Sequence, residues 1–372
     1  MDSTGWNMLE TIWQPYILGF GASMPVLGAF SSVYTALVSA LQLGTGELSD
    51  SIGRKKAVVL CYSFSIIGIV IAIIAGSWAM LIPTIVLWAV ADSLGDPTMP
   101  LLFAESVGEY QRGTAFSLFS LTWFLPGFYS YLIAGFLADK YGNHIILCIL
   151  LVTEVASFLL FTVFVRETLK ERKPVDLHRI ADNFRELLRP RRGLGSFYAL
   201  MILNHLSSAL VAGTFVGMIW RSFDLTLTQI GALLNAFTVV AALSLLPMGK
   251  LVDRFGSRRP LILATALTCL LFTSYYLSRE FLSLLLAQIL RGVSVALIEP
   301  ASNTYLSNAV PEAERGKFFG SLNGLKGLAS FPAPIIGAFL FEVYGFQGAV
   351  LASLVCSLMA VALSLRVKTL DA

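Results

Sequence analysis

Charge is the scarce commodity in this 372-residue chain: only 13% of its residues are Asp, Glu, Lys or Arg, about half the quarter that a soluble globular protein carries. Too few polar side chains exist to coat a soluble surface of that size, so ordinary soluble enzymes are excluded. The net charge is only +3, which argues against a nucleic-acid partner. The four cysteines, Cys61, Cys148, Cys269 and Cys356, fall in four different apolar runs without CxxC or Cys/His spacing. They read as small buried hydrophobes rather than a disulfide framework, metal site or redox pair. No G-x-x-x-x-G-K-S/T phosphate loop is present, so nothing points to ATP hydrolysis. No catalytic constellation appears either, and neither an enzymatic activity, a cofactor nor a bound metal is expected. Residues 1–10 lack the basic region and small-residue cleavage site of a signal peptide.

What the chain has instead is apolar residues, 56% of the total, in blocks of about twenty, the length that crosses a ~30 Å hydrocarbon core. Six blocks lie at about 8–23, 24–47, 57–77, 79–106, 114–138 and 144–165. Six more lie at about 196–220, 228–250, 260–278, 281–307, 317–341 and 346–366. The expectation is an all-α membrane protein of twelve transmembrane helices in two six-helix bundles. The domains are then residues 1–165, a basic linker at 166–195, and residues 196–372.

Orientation follows from where the basic residues sit. Counted on alternate sides of the twelve spans, 21 Lys and Arg share a side with the linker and three, Lys140, Arg221 and Arg279, lie opposite. By the positive-inside rule the linker and both termini are cytoplasmic, in a multi-pass protein of the cell membrane. Trp78 and Trp220, beside polar turns on the other side, suit an interfacial aromatic belt.

The two halves repeat at a single offset. Gly46, Asp50 and Gly53 recur 203 positions later as Gly249, Asp253 and Gly256. The same offset relates Gly28 to Gly231, Asp96 to Glu299, Pro97 to Pro300, Arg112 and Gly113 to Arg315 and Gly316, and Tyr141 and Gly142 to Tyr344 and Gly345. An internal duplication of a six-helix unit is the physical conclusion, and such repeats build transporters with a site near the bilayer midplane.

At these residues the chain resembles the major facilitator superfamily, whose signature G-x-x-x-D-x-x-G-R-R/K lies between the second and third helices, with a weaker copy between the eighth and ninth. The first copy matches at Gly46, Asp50, Gly53, Arg54 and Lys55, the second at Gly249, Asp253, Gly256 and Arg258. Ser51 stands where a basic residue is common, and Ser257 replaces the first arginine of the second copy. The resemblance covers essentially the whole chain and implies the two-bundle fold. Glycines 46 and 249 would let helices approach closely, while Asp50 and Asp253 would meet a helix N-terminus or a basic side chain. Such contacts would act as a conformational latch; the plainer alternative is turn glycines among ordinary membrane-flanking charges. The first span is an exception to the repeat, because its counterpart starts near Ser196 and projects to before Met1. Its clean apolar part, about 11–23, is short and interrupted by Pro15 and Gly19, which reads as a clipped start, the alternative being a tilted helix with the bilayer thinned around it.

Ionisable residues at membrane depth cost several kcal/mol unless paired or wetted, so each is a functional candidate. The fourth span carries Asp92 and Asp96 one turn apart, followed by Pro97. The tenth carries Arg291 and Glu299, followed by Pro300. The resemblance implies that the first, fourth, seventh and tenth helices line a central cavity, which would set two carboxylates and an arginine across from one another. Asp92 is the candidate for proton coupling or substrate contact, against an ion pair with Arg291. For Asp96 and Glu299 helix-breaking geometry is the alternative. In the eleventh span Lys326, with Asn323 one turn earlier, would attract an anionic solute or pair with Glu299. Trp123, the counterpart of Lys326, belongs to an aromatic stretch that forms either cavity wall or packing. His205, beside Asn204, is a proton relay or a structural histidine, and Glu154 is expected inside the amino-terminal bundle.

The sequence therefore reads as a secondary active transporter of a small organic solute, proton-coupled, monomeric, embedded in lipid and without a nucleic-acid partner. A uniporter or exchanger, a drug-efflux antiporter, and a non-transporting membrane sensor or scaffold are the alternatives. For drug efflux, Pro126 and Gly127 followed by Phe128 depart from the G-P-x-x-G-G-like motif of that branch.

Overall fold

The computed structural model describes residues 2–106, 122, 125–169, 194–311 and 315–367. Among these the chain is helical and contains no strand. The helices are α1 (Asp2–Gly19), α2 (Met24–Ile52), α3 (Arg54–Ile74), α4 (Ile82–Ser106), α5 (Ser130–Tyr141) and α6 (Asn143–Phe164). Then follow α7 (Gly195–Ala212), α8 (Phe215–Phe223), α9 (Leu227–Phe255), α10 (Arg258–Leu277), α11 (Phe281–Ala309), α12 (Arg315–Ser330) and α13 (Ala333–Ser364). Nine segments among the described residues are long and apolar enough to cross a membrane, and the longest, Phe318–Ser364, bends at Phe331 and Pro332 and again at Gly345. This is a multi-pass helical membrane protein.

Two compact units divide the chain. One holds Met1–Ala22 and Val33–Phe184, the other Ser23–Ser32 and Arg185–Ala372. The first is built on fully buried aliphatic side chains such as Ile12, Ile17, Ile69, Leu147 and Leu150. Glu154 is also buried there, in α6, as its sequence position implied. The second is centred on Phe197 of α7, stacked on Tyr305 of α11 with ring centroids 4.6 Å apart.

The duplication is visible in backbone geometry. Gly53 (φ 104°) and Gly256 (φ 72°) occupy the same turn in the two halves. Each directly follows the last residue of a helix, and a side chain there would be strained. The expected loops between the second and third spans, and between the eighth and ninth, are thus one and two residues long: α2 runs on to Ile52 and α9 to Phe255. Asp50 and Asp253 consequently stand on helices. The first span runs from Asp2 to Gly19 rather than over 8–23, so the polar residues that open the chain are helical.

Two expected spans of the second half prove to be broken helices. The seventh parts at Gly213 and Thr214 into α7 and α8, and the eleventh parts at Phe331 and Pro332 into α12 and the start of α13. A break inside a membrane frees backbone groups that must find partners. The opening turns of α2 supply them: Ser31 Oγ donates to the Gly213 carbonyl at 2.6 Å, and Ser32 Oγ accepts from Ile335 N at 3.1 Å. Gly28 permits this approach, because a Cβ there would sit 2.6 Å from Ala338 Cβ and from the Pro334 carbonyl oxygen. The α2 N-terminus adds a charge contact, Met24 N donating to Glu342 Oε2 at 3.3 Å, the favourable end of a helix for a carboxylate.

Candidate functional site

The signature residues of the first half form a compact charge network at the α2–α3 turn. The short turn brings Asp50, in the last turn of α2, to Arg54, the first residue of α3, at 3.4 Å. Arg54 is buried, and its Nε lies 2.9 Å from Glu105 Oε2 at the end of α4. Glu167, beyond α6, accepts from the backbone amides of Arg54 (3.1 Å) and Lys55 (3.3 Å). Those amides are among the four that a helix start leaves unpaired, and a carboxylate is the preferred group to meet them. Lys55 Nζ donates to the Thr162 carbonyl at 2.7 Å. Glu105 and Glu167 were not singled out by sequence, since each looks like an ordinary charge at or just beyond the end of a span.

In the second half only part of this arrangement exists. Arg258, the counterpart of Lys55, donates from Nη2 to the Leu365 carbonyl at 3.2 Å and from Nε to Val367 at 2.7 Å. Leu365 is the counterpart of Thr162, so one fastening is repeated bond for bond. The counterpart of Arg54 is Ser257, buried, and Asp253 is exposed and makes no ion pair among the described residues. Gly249 does not serve close approach: a Cβ there would meet nothing within 4 Å, because the surface of α9 at that point faces open space.

Within the first unit the fourth-span carboxylates acquire partners from α2. Tyr34 OH donates to Asp92 Oδ2, and Gln42 Nε2 donates to Asp96 Oδ2 at 3.4 Å. Asp92 is half-buried, Asp96 exposed. Tyr34 and Gln42 escape a sequence reading because a tyrosine and a glutamine in an apolar run signal nothing until the facing helix is known.

Within the second unit Arg291 of α11 is held by aromatic faces. Its guanidinium carbon lies 4.2 Å from the Phe237 ring centroid and 6.0 Å from that of Phe215. Beside it, among α7, α10 and α11, is a cavity of about 120 Å³. Asn204, Ser208, Thr268, Tyr275, Arg291 and Ser294 supply its polar lining. Asn204 is buried and its Nδ2 has no hydrogen-bond partner among the described residues. The neighbouring His205, the more obvious candidate by sequence, is exposed; a one-residue step along α7 turned the buried role over to the asparagine. Glu299 and Asn323 are exposed, Lys326 half-buried. No ion pair joins Lys326 to Glu299 among the described residues, so that pairing is not made. Trp123, with Arg112 and Gly113, lies outside the described residues.

No group of three or more His, Cys, Asp or Glu suited to a metal occurs among the described residues.

A family model described as Major Facilitator Superfamily matches residues 1–205 and 197–371. Multidrug resistance protein MdtG of Proteus mirabilis (strain HI4320) is 25% identical over 308 residues, covering 81% of this chain and 75% of that protein. The protein of the same name from Yersinia enterocolitica is 26% identical over 306 residues, covering 81% and 73%. Among solved structures, a mutant peptide transporter POT in complex with sulfate superposes with a TM-score of 0.79 at 17% identity, over 99% of this chain and 93% of that one. The human organic anion transporter MFSD10 (TETRAN) superposes with a TM-score of 0.69 at 15% identity, over 98% and 96%.

Proposed function

Because the chain belongs to the Major Facilitator Superfamily, a family of transport rather than catalysis, we propose that it is a proton-coupled secondary transporter. It moves a small organic solute across the cytoplasmic membrane by alternating access, as a monomer with both termini and the 166–195 linker in the cytoplasm. The observation that carries the coupling is the Tyr34–Asp92 contact. A carboxylate within a membrane-crossing helix is expensive to maintain, and here it is held by a hydroxyl that can donate to the ionised form and accept from the protonated one. The Asp50, Arg54, Glu105 and Glu167 network, centred on Gly53 and Lys55, is assigned as a conformational latch, and Gly256 with Arg258 as its weaker counterpart. The names of the MdtG relatives favour export as the direction of travel.

Reconstitution into proteoliposomes with an imposed pH gradient tests the coupling, with radiolabelled carboxylates, amines and neutral solutes as cargo. Asp92→Asn is expected to abolish accumulation against a gradient while preserving solute exchange, because the amide mimics a permanently protonated carboxyl. Full proton-driven accumulation by a stable Asp92→Asn protein would overturn the assignment. A wild-type protein that moves no solute in either direction would replace the transport reading with that of a sensor or scaffold.

A further inference from the structure

The duplication offers an internal control for the Arg291 cavity. At the offset of 203, Arg291 corresponds to Trp88, Thr268 to Ser65, Leu271 to Gly68 and Phe215 to Ile12. In the first unit that place is filled with indole. Trp88 donates from Nε1 to the Ser65 carbonyl at 3.3 Å and lies so close to Gly68 that a Cβ there would come within 2.6 Å of Nε1. Its ring is flanked by Trp13 and Trp6, with centroids 4.7 and 5.1 Å away. The fold can therefore close this space with aromatic bulk, as protein interiors do. The second unit keeps it hollow and places a cation at its wall.

The chemistry of that wall is one-sided. Tyr275 spends its hydroxyl hydrogen on Gln288 Oε1 at 3.2 Å, Ser208 donates to the Asn204 carbonyl at 3.2 Å, and Thr268 and Ser294 bond each other at 2.9 Å. The donors that remain are the Asn204 amide nitrogen, without an acceptor among the described residues, and the Arg291 guanidinium. No carboxylate lines the cavity, and Arg291 makes no ion pair within its unit among the described residues. Arg291 stands ten residues into α11, about 15 Å along the helix axis and near the middle of a ~30 Å core. Phe237 and Phe215 compensate the charge in part, but neither supplies the planar acceptor pair that a guanidinium fork matches best.

We propose that this cavity is a subsite for the carboxylate group of an organic anion, bound by the Arg291 fork and the Asn204 amide, with Phe215 as an apolar wall for the adjoining carbon skeleton. At about 120 Å³ it is smaller than the roughly 300 Å³ or more of a drug-sized site. It takes a small acid, or the acidic head of a larger solute whose remainder lies outside. That the anion is cargo rests on the transport reading above; that it binds does not.

The test is equilibrium dialysis of the detergent-purified full chain with radiolabelled benzoate, competed in turn by unlabelled benzoate, sodium chloride, benzyl alcohol and benzylamine. Saturable benzoate binding is expected, displaced by benzoate but not by the neutral or cationic isostere, and more weakly by chloride. Arg291→Gln is expected to weaken it at least about tenfold, and Asn204→Leu, which retains the charge, by a smaller factor. Displacement by benzyl alcohol as effective as by benzoate, or by chloride as effective, would overturn the carboxylate assignment. So would unchanged affinity in a folded Arg291→Gln protein, or in Asn204→Leu should the first variant not purify. Benzoate binding without solute flux in proteoliposomes defeats the transport reading and leaves the subsite standing. Flux without saturable benzoate binding does the reverse.

Discussion

Among the described residues Arg54 is met by carboxylates and Arg291 only by aromatic rings, and a mutation series ranks the two acids around Arg54. Of the two acids that flank Arg54, Glu105 is nearer, at 2.9 Å against 3.4 Å for Asp50, and the two are similarly exposed. Removing one partner of a buried pair costs about 3 to 5 kcal/mol, and about 1 or less when the pair is solvated. With Arg54 buried and its acids one-third exposed, Glu105→Gln is expected to cost about 1 to 2 kcal/mol. Asp50→Asn, expected to impair transport while leaving folded protein abundant, should cost less. Thermal unfolding of the purified variants ranks them, and a larger loss for Asp50→Asn would refute the ordering. Sequence exposed Asp50 and Arg54 through the repeated motif, but not Glu105 or Glu167, because partners that converge from the ends of α4 and α6 share no spacing with the motif. The same reason hid Tyr34. Conversely, the motif's Gly249 suggested a close approach that the surroundings of α9 do not contain.

At the level of single helices, apolar runs gave the approximate extent of the described membrane-crossing elements but could not reveal their breaks. Hydropathy passes smoothly over Gly213 and over Phe331–Pro332, while a break is a matter of where backbone groups find partners. Those partners, Ser31 and Ser32, lie some 180 and 300 residues away in sequence. The glycine that admits them gives a direct test. At Gly28 an added Cβ would press on the Pro334 carbonyl and Ile335 Cα as well as Ala338, atoms that cannot rotate away. Overpacking of this kind costs about 1 to 3 kcal/mol, so Gly28→Ala is expected to lower the melting temperature of the purified protein. Gly249→Ala, on a helix with nothing within 4 Å, is expected to be neutral or to gain up to about 1 kcal/mol from helix propensity. Equal losses at both positions would show that close approach is not what Gly28 provides.

Across the whole molecule, the segregation of basic residues predicts topology. With native cysteines removed, a single cysteine at Val175, in the linker, is expected to be shielded from an impermeant thiol reagent in intact cells, and one at Ser222 to react. The reverse pattern would invert the orientation. Beyond the first span the duplication and its offset were legible, since glycines, prolines and charges recur at matched positions. What the offset could not disclose was function at matched positions. Trp88 and Arg291 are counterparts in chain position and opposites in chemistry, and only the surrounding side chains distinguish a plug from a binding surface.

The repeated bond from Lys55 or Arg258 to a carbonyl 107 residues later also bears on the order in which mutations can accumulate. A lone fastening to a backbone oxygen depends on one side chain and tolerates any sequence at its acceptor, so either half can keep it through drift. The arginine beside it enjoys no such independence: at Ser257 only Asp50's counterpart, Asp253, is an acid, the counterparts of Glu105 and Glu167 being Asn308 and Leu370. Ser257→Arg alone would place a cation in a buried position with only the exposed Asp253 to meet it and is expected to destabilise the protein by about 1 to 3 kcal/mol. Adding Asn308→Glu should recover much of that loss in thermal unfolding, and no recovery would mean the two positions do not couple as Arg54 and Glu105 do. The arginine of such a network is thus costly until its acids are in place, whereas the acids alone are ordinary surface charges.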